Sequence, residues 1–376
     1  MVDVARSLVA FHATDPASVY VSAWARTAEG TSPDDVSRAL YDDRTLLRML
    51  GMRRTMFVVP TAFAPVVQAA ATDAIAERET RRLVKLLGDV GIPEGERWLA
   101  DARAATLAAL DARGEALAVE LSADVPALRT RFTYAEGKAY ANDVTFTSQV
   151  MNGLGASGHI VRGRPRGTWA ASQYRWAPAN SWLAAAAPPV DPPGRAEAQA
   201  ELVGAWLRGF GPGTEADIKW WTGFGLGEVR KALAAVGAVE VELEGGVGFV
   251  LPDDEPEPEV EPWVALLPAL DPTAMGWAGR SWYLGEHRET LFDRTGNIGP
   301  TVWVDGRIVG GWAQYRSKRK GDPADGEIVV RLLQDIGAER TEQVHAEGER
   351  LRAWVGDVRF TPRFRTPLEK ELTTPR

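Results

Sequence analysis

The chain of 376 residues contains no cysteine, only four histidines and no long hydrophobic run. The absence of cysteine excludes disulfides, thiolate nucleophiles and cysteine-ligated zinc sites. The histidines, at positions 12, 159, 287 and 345, form no closely spaced pair, so we expect no metal site. No apolar stretch approaches the roughly 18 residues of a membrane span and no signal-peptide pattern follows Met1, which favours a cytoplasmic protein, associated with the nucleoid if bacterial.

The net charge of −8 hides a strong asymmetry along the chain. Residues 126–183 carry seven lysines and arginines against two acids, whereas residues 252–262 carry six acids, four prolines and no base. A local positive patch attracts a phosphate backbone whatever the average charge, because salt screens charges beyond about 10 Å. The composition therefore allows a nucleic-acid partner, and the acidic stretch predicts a linker.

The same order of patterns recurs three times before the chain turns to β structure. In the first unit helical patterns are followed by one strand that carries two arginines, and in the other two units by two short β-like runs, an order that is typical of a winged helix. We therefore predict an α+β fold of three tandem winged-helix units followed by a β-rich C-terminal domain. The predicted parts are residues 1–87 with a linker helix, 88–190 with a basic hairpin, 191–252 and 263–376.

Polar chemistry in the first unit is concentrated at residues 12–15, which we name the first corner. Asp15 before Pro16 is a typical helix start, so we expect one helix to end near Ala13 and the next to begin at Pro16. This places His12, Thr14 and Asp15 together at a tight turn. Helix capping alone explains Thr14 and Asp15, and His12 is equally consistent with an ordinary polar helix end.

Two further segments supply candidate contacts to phosphates. We expect residues 44–48 to continue a helix and residues 52–60 to form a strand that carries two arginines. Residues 160–169 predict a hairpin with a basic Arg-Pro-Arg-Gly tip, with Trp169 and Tyr174 behind its alternating arginines, which suits phosphate contact. A solvated surface hairpin is the alternative. The candidate DNA contacts are Arg53, Arg54, Arg129, Arg131, Arg162, Arg164 and Arg166.

The third unit and the C-terminal domain have clear local signals, and the third unit is less basic than the second. Thr214 and Asp217 have the spacing of a capping box, and residues 226–236 form a helix in the position of a recognition helix. That helix carries few bases, so we expect it to pack rather than to read DNA. Asp305-Gly306 between two β-like runs predicts a tight hairpin, and residues 341–354 predict a closing helix.

With these pieces in order, the chain resembles the winged-helix DNA glycosylases, the AlkZ and YcaQ-like proteins, over nearly its whole length. The matching pieces are residues 8–26, 52–60, 266–272 and 296–303. The resemblance implies three winged-helix units curved around double-stranded DNA and cleavage of the N-glycosidic bond of alkylated, bulky or crosslinked purines, without a metal or nucleotide cofactor. Characterised members carry Gln-x-Gln or Gln-x-Asp where this chain has His12-Ala13-Thr14. The family usually has a further basic N-terminal helix, so Met1 is a late start or the first unit is shortened.

The first corner offers a plausible chemistry for this reaction. Purines alkylated at N7 already leave easily, so the enzyme needs only to position water and stabilise an oxocarbenium-like sugar. An imidazole with a pKa near 6.5 can hold that water, which predicts an acid limb of the rate near pH 6–7, and Thr14 or Asp15 can assist. Two alternatives remain open. One is a non-catalytic winged-helix DNA-binding protein, a regulator or damage-binding factor, and the other is a protein with no DNA function. We favour a monomer.

Overall fold

Helices and antiparallel sheets alternate along the computed structural model, which describes residues 1–134, 141–184, 191–255, 259–319 and 321–374. Lys138, most of residues 184–193 and three residues of the acidic stretch lie outside these ranges. All pairings between described strands are antiparallel, and helices accompany every main sheet, so the predicted α+β class is confirmed. Within these ranges, no helix is both long and apolar enough to cross a membrane.

The first repeat forms a three-stranded sheet with three helices. Its elements are α1 (Val2–Ser7), β1 (Phe11–His12), α2 (Pro16–Trp24), α3 (Pro33–Tyr41), β2 (Leu46–Gly51) and β3 (Thr55–Pro60). The strand order is β1-β3-β2, and His12 lies opposite Phe57. Asp15 caps α2, and Ser32 caps α3 in a full capping box with Asp35, as these residue types favour.

Three local predictions for this repeat are wrong. The first helix ends at Ser7 rather than near Ala13, because the buried residues after it extend and pair with β3. Residues 46–51 form a strand instead of continuing a helix, because their apolar side chains are needed in the sheet. The strand predicted over residues 52–60 begins only at Thr55, since Arg53 and Arg54 lie in a turn with positive φ.

The second repeat follows a linker helix and has the same order of elements. The linker consists of α4 (Ala64–Val67), a π-helical turn (Gln68–Thr72) and α5 (Asp73–Asp89). The repeat consists of α6 (Gly95–Arg113), β4 (Ala116–Leu117), α7 (Ala118–Asp124), β5 (Arg131–Tyr134), β6 (Asn142–Thr145), α8 (Thr147–Ala156), β7 (Ile160–Pro165), β8 (Tyr174–Pro178) and α9 (Ala179–Ala184). Its main sheet has the order β4-β8-β7, and the pair β5-β6 is an inserted hairpin.

The basic hairpin of the second repeat is longer than predicted. Its second strand begins at Tyr174 instead of before Trp169, so residues 166–173 form the connecting loop. Trp169 in that loop stacks on Tyr20 of α2, with ring centroids 4.8 Å apart, and also contacts Trp354 and Phe360. Burial of large aromatic rings in such contacts stabilises the folded state. The loop is therefore anchored in the protein, and Trp169 does not stand behind a free tip.

The third repeat keeps the order of the first two but reduces the short strand to one residue. Its elements are α10 (Arg195–Phe210), α11 (Glu215–Thr222), α12 (Leu226–Ala235), β9 (Val239–Leu243) and β10 (Gly246–Val250). Gly213 pairs with Phe249 at the position that a short strand has in the other repeats. The predicted capping box of Thr214 and Asp217 is confirmed at the start of α11.

The C-terminal domain is a four-stranded antiparallel meander covered by helices. Its elements are β11 (Val264–Leu267), α13 (Ser281–Leu284), α14 (Arg288–Leu291), β12 (Thr301–Val304), β13 (Arg307–Gln314), β14 (Ile328–Leu332), α15 (Ala338–Val355) and α16 (Pro367–Leu372). The turn at Asp305-Gly306, both with positive φ, joins β12 to β13 as predicted. The predicted closing helix is α15.

Helix α2 lies where the first repeat meets the C-terminal domain. Tyr20 belongs to a core shared by the first and third repeats, whereas Val21 and Trp24 belong to a core built on the C-terminal sheet and α15. The second repeat has a core of its own around Leu110 and Phe146. The first corner, which leads into α2, is therefore fixed from two sides.

Candidate functional site

His12 lies at the end of β1, half-buried, where the chain turns into α2. Its ring meets Phe57 on the neighbouring strand edge-on, with centroids 5.6 Å apart. Its Nδ1 atom is buried and has no hydrogen-bond partner among the described residues. A small cavity of about 30 Å³ lies beside the ring and is also lined by Arg53, Trp220 and Pro272. A water molecule needs on the order of 10–15 Å³, so this cavity can hold one next to His12.

The electrostatic surroundings keep His12 neutral. Its pKa is lowered to about 3, mainly by burial and next by the positive charge of Arg53, while the carboxylate of Asp271 acts in the opposite direction. A neutral imidazole has one nitrogen that accepts a hydrogen bond and one that donates. His12 can therefore orient a water molecule at neutral pH. The acid limb predicted near pH 6–7 assumed an unperturbed imidazole and does not apply at this pKa.

Both carboxylate oxygens of Asp15 accept hydrogen bonds that stabilise the structure. Oδ1 accepts a hydrogen bond from the backbone N–H of Ala17 at 3.1 Å, which caps α2, and Oδ2 accepts one from the N–H of Arg363 at 3.1 Å. Burial raises the pKa of Asp15, and these hydrogen bonds oppose that rise. Asp15 thus ties α2 to the segment after α15. Thr14 lies half-buried between His12 and Asp15.

Arg48 is a buried residue that the sequence did not single out. Its Nη1 donates to the carbonyl oxygen of Ala13 at 2.8 Å, in the middle of the first corner. Its guanidinium group lies over the ring of Tyr174, 4.9 Å from the centroid, and its positive charge lowers the pKa of Asp15. Arg48 therefore fixes the backbone between His12 and Asp15. The sequence signal that could have identified Arg48 is a charged residue at the third position of a buried strand.

Arg53 brings a positive charge to the cavity of His12. The side chain is exposed and lies over the ring of Trp220, 4.2 Å from its centroid, while Arg280 lies over the same ring at 4.5 Å. The stack joins the hairpin turn of the first repeat to α11 of the third and to the C-terminal domain. An exposed cation beside this small, mainly apolar cavity suits the binding of a phosphate. Arg54, in contrast, pairs with Glu79 at 2.8 Å.

Asp271 holds the C-terminal domain against α2. Its buried carboxylate accepts two hydrogen bonds from Arg26, at 2.7 and 3.0 Å, and one from Ser22 Oγ at 2.6 Å. Ser18 Oγ donates to the carbonyl of Ala269 at 2.6 Å. These contacts give a structural reason for the Leu-Asp-Pro piece of the family resemblance, because they hold the wall that closes the cavity of His12. In the described ranges no three His, Asp or Glu side chains could hold a metal ion.

The three arginines of the basic hairpin differ in their surroundings. Arg162 is half-buried and donates to Asn152 Oδ1 at 3.0 Å, and burial is the main cause that lowers its pKa to about 10. Arg164 forms two hydrogen bonds of 2.8 Å with the carboxylate of Asp42. Arg166 is exposed at the start of the connecting loop. Of the three, Arg166 is the most accessible to a phosphate.

The remaining candidate contacts lie on the second repeat, away from the first corner along the chain. Arg129 donates to the carbonyls of Ser122 and Ala123, at 2.7 and 2.8 Å, at the end of α7, and Arg131 is exposed on the inserted hairpin. The sequence interpretation overlooked Arg316, Lys318 and Arg319, which form a basic run after β13. Clustered bases of this kind are a recognised signal for nucleic-acid contact.

The scaffold and the site together define the class of protein. One order of helices and hairpin occurs three times in the described residues, and the first repeat, the third repeat and the C-terminal domain line a water-sized cavity beside His12. The family model for DNA glycosylase AlkZ-like proteins matches residues 5–354. The chain therefore belongs to the AlkZ-like DNA glycosylase family.

A solved structure agrees in fold with this assignment. The chain is similar to the Streptomyces sahachiroi DNA glycosylase AlkZ, with a TM-score of 0.67 and 22% sequence identity. The likeness covers 94% of this chain and 90% of that chain. At this identity it shows the fold. No curated protein matches the chain.

Proposed function

We propose that this protein is a DNA glycosylase that hydrolyses the N-glycosidic bond of alkylated, bulky or crosslinked purines in double-stranded DNA. Family membership supports DNA glycosylase activity. The observation that carries the finer proposal is the cavity of about 30 Å³ between His12, Arg53 and Trp220, where a neutral imidazole meets room for one water.

The reaction needs little catalysis by the protein because the leaving group is already activated. A purine alkylated at N7 carries positive charge, so its bond to the sugar breaks as electron density moves into the base. The sugar then becomes oxocarbenium-like and is attacked by water. His12 accepts a hydrogen bond from that water and fixes its direction, and Thr14, two residues further along the first corner, assists it. Asp15 assists by holding this corner in place.

The binding part of the proposal assigns the three repeats as winged-helix units that bind duplex DNA along one side. Arg53 would hold a phosphate beside the reacting nucleotide. The other arginines predicted as DNA contacts, in the first and second repeats, would bind the more distant phosphates. These are Arg54, Arg129, Arg131, Arg164 and Arg166, whereas Arg162 is half-buried and already donates to Asn152. The electrostatic contribution of such contacts is independent of DNA sequence. We propose that the protein acts as a monomer without a cofactor.

One observation favours a second candidate function. His12 and Thr14 stand where characterised family members have glutamine and a second glutamine or aspartate. A chain that has exchanged both residues could keep the DNA surface and lose catalysis. The alternative is therefore a winged-helix DNA-binding protein that acts as a regulator or a damage-binding factor.

The two functions are separated by one experiment. The protein is incubated with a duplex that contains a single N7-methylguanine, and alkali-labile abasic sites are measured over time. The glycosylase proposal expects release that depends on enzyme concentration, and none above background from an undamaged duplex of the same sequence. Tight binding without release from this duplex or from one with a bulky N7 adduct supports the binding protein instead.

A further inference from the structure

A second and much larger cavity lies between the first and second repeats. Its volume is about 1150 Å³, slightly above the roughly 300–1,000 Å³ typical of small-molecule sites. The edge strand β2, the π-helical turn and α5 form one side, and α8, β7 and α9 form the other. Most of its lining is apolar, with Met49, Met56 and Trp176 among the larger side chains.

This cavity is separate from the proposed catalytic centre. Thr55 and Phe57 of β3 line the cavity of His12, whereas Met56 between them lines the large one. Successive side chains of a strand point to opposite faces of a sheet. The two cavities therefore lie on opposite sides of the β3 strand, and they share no lining residue.

The charges that line the large cavity are unbalanced. Five arginines face two acids, and the acids have partners, since Glu79 pairs with Arg54 and Asp73 accepts from Gln68. The other arginines include Arg48, Arg103 and Arg162. Within the described ranges, none of these three has a carboxylate oxygen within 4.0 Å of its guanidinium nitrogens.

The guanidinium groups at this cavity also lack full hydrogen bonding. Nε of Arg103 is buried without a partner among the described residues. The guanidinium group of Arg48, in contrast, lies against Ala13 and Tyr174, which do not line this cavity. Burial lowers the pKa of Arg103, and it is the main cause that lowers the pKa of Arg162 to about 10. A buried cation without a counter-charge costs free energy, so an anion placed among these groups would be stabilised.

We propose that the large cavity binds a small amphipathic anion, with an apolar or aromatic body and one carboxylate, sulfonate or phosphate group held by Arg103 and Arg162. The apolar lining packs against the body, and the guanidinium groups supply charge-assisted hydrogen bonds. A nucleotide of bound DNA is the competing occupant. The apolar lining and the position across β3 from His12 favour the small molecule, because DNA-binding surfaces are polar.

The test uses two dyes that share one aromatic body. Anilinonaphthalene sulfonate carries a single anionic group, and phenylnaphthylamine is its uncharged parent. Each is titrated into the full chain and followed by fluorescence. We expect one sulfonate site per chain and at least about tenfold tighter binding of the sulfonate than of the parent, the size of one charge-assisted hydrogen bond. We also expect the sulfonate to raise the thermal midpoint of unfolding, as a ligand of the native state does.

Substitutions assign the site. Arg103→Gln and Arg162→Gln should each weaken sulfonate binding about tenfold and leave binding of the parent dye unchanged. Arg97→Gln is the matched control, because Arg97 lies on the same helix as Arg103 but is exposed and outside the cavity. It should change neither affinity.

Three results would overturn the proposal. The first is equal affinity of the wild-type chain for both dyes, which needs no variant. The second is sulfonate binding that neither Arg103→Gln nor Arg162→Gln weakens. The third is displacement of the sulfonate by undamaged duplex DNA, which would assign the cavity to the DNA surface.

Discussion

In the first repeat the residue opposite Phe57 is His12, whereas in the third repeat the residue opposite Phe249 is Gly213. The backbone takes the same path at both places, from a short antiparallel pairing into a capped helix. A Cβ atom at Gly213 would lie 2.2 Å from the ring of Trp206, so no side chain fits there. In the second repeat the equivalent position is Leu117, which is buried. The order of elements occurs three times, and among these three positions only that of His12 carries a polar side chain.

The capped helices of the first and third repeats share a second feature. Asp15 accepts a hydrogen bond from the backbone of Arg363, and Asp217 accepts from the N–H groups of Ala278 and Gly279, at 2.8 and 3.1 Å. Each carboxylate caps its own helix and also holds a later segment of the chain. The comparison indicates that Asp15, like Asp217, has the structural role of holding its repeat against the C-terminal domain. We therefore assign the proposed chemistry to His12.

Removal of His12 should give the largest effect. We expect His12→Ala to keep DNA affinity and to slow lesion release by about 10²-fold, the lower end of the range for general-base groups, because an imidazole with so low a pKa is a weak base. His12→Gln should retain part of the rate, since an amide can still orient water. Rates are measured as abasic sites from an N7-methylguanine duplex under single-turnover conditions.

Substitution of Leu117 is the matched control for that experiment. Leu117→Ala shortens the side chain at the equivalent position of the second repeat and should cost about 2–5 kcal/mol of unfolding free energy. Lesion release per folded molecule should stay unchanged. Equal rates for wild type and His12→Ala would contradict the catalytic assignment and favour the DNA-binding alternative.

The pH dependence of stability should also distinguish the first corner. The pKa of His12 is about 3 in the folded chain and near 6.5 when unfolded, so the unfolded state binds more protons between these values. Stability is therefore lost as the pH falls below 6.5, by at most about 1.4 kcal/mol per pH unit from this residue. His12→Gln should lose about 2 kcal/mol less than wild type between pH 8 and pH 5 in urea unfolding.

The rate of lesion release should follow the same pKa. It should stay flat between pH 8 and pH 5 in wild type, because the imidazole remains neutral there. Arg53→Gln removes one of the two causes that depress the pKa of His12, so its rate should begin to fall at a higher pH. A wild-type acid limb centred near pH 6.5 would show that the imidazole is not desolvated.

The two carboxylates can be compared directly. Asp15→Asn keeps an oxygen for the cap of α2 but turns an amide NH₂ toward the N–H of Arg363, which should cost about 1–3 kcal/mol of unfolding free energy. Asp217→Asn should cost a similar amount. Only the first substitution should lower lesion release per folded molecule, because only it loosens the corner that holds His12. An equal loss of release in both would make the effect a general one of stability.

The basic hairpin should give the smallest effects. Arg166 is exposed, so Arg166→Ala should weaken DNA binding similarly for all sequences and reduce the salt slope by about 0.9, the value for one phosphate contact. Arg164→Ala should change the slope less, since Arg164 already pairs with Asp42. Binding is measured by fluorescence anisotropy over a series of salt concentrations. An unchanged slope in Arg166→Ala would place the phosphate contact elsewhere.

The sequence could predict those features that depend on neighbouring residues. The capping box at Thr214, the tight turn at Asp305 and the closing helix are local, and each is found. Residues 44–48 were assigned to a helix because the pattern is locally helical, but pairing with β3 decides their state. Propensity is a weak guide where tertiary pairing competes with it.

The site could be predicted in its composition but not in its electrostatics. The residue types around His12 indicate where the site lies, and the family resemblance supports that position. The pKa of His12 is lowered mainly by burial and next by Arg53, and the cavity beside the ring is closed by Trp220 and Pro272 from two distant parts of the chain. The role of Asp15 depends on the backbone of Arg363, and no local pattern reveals such a partner.

The hydrogen bond between Asp15 and Arg363 has a consequence for biosynthesis. The two residues are 348 positions apart in the chain, and Trp354 reaches back to the carbonyl of Thr31 across 323. Domains fold as the ribosome releases them, at about 5–20 residues per second, so the repeats emerge well before these partners exist. The corner around His12 can take its final form only after residue 363 has left the ribosome. A nascent chain that already holds all three repeats would still lack a completed site.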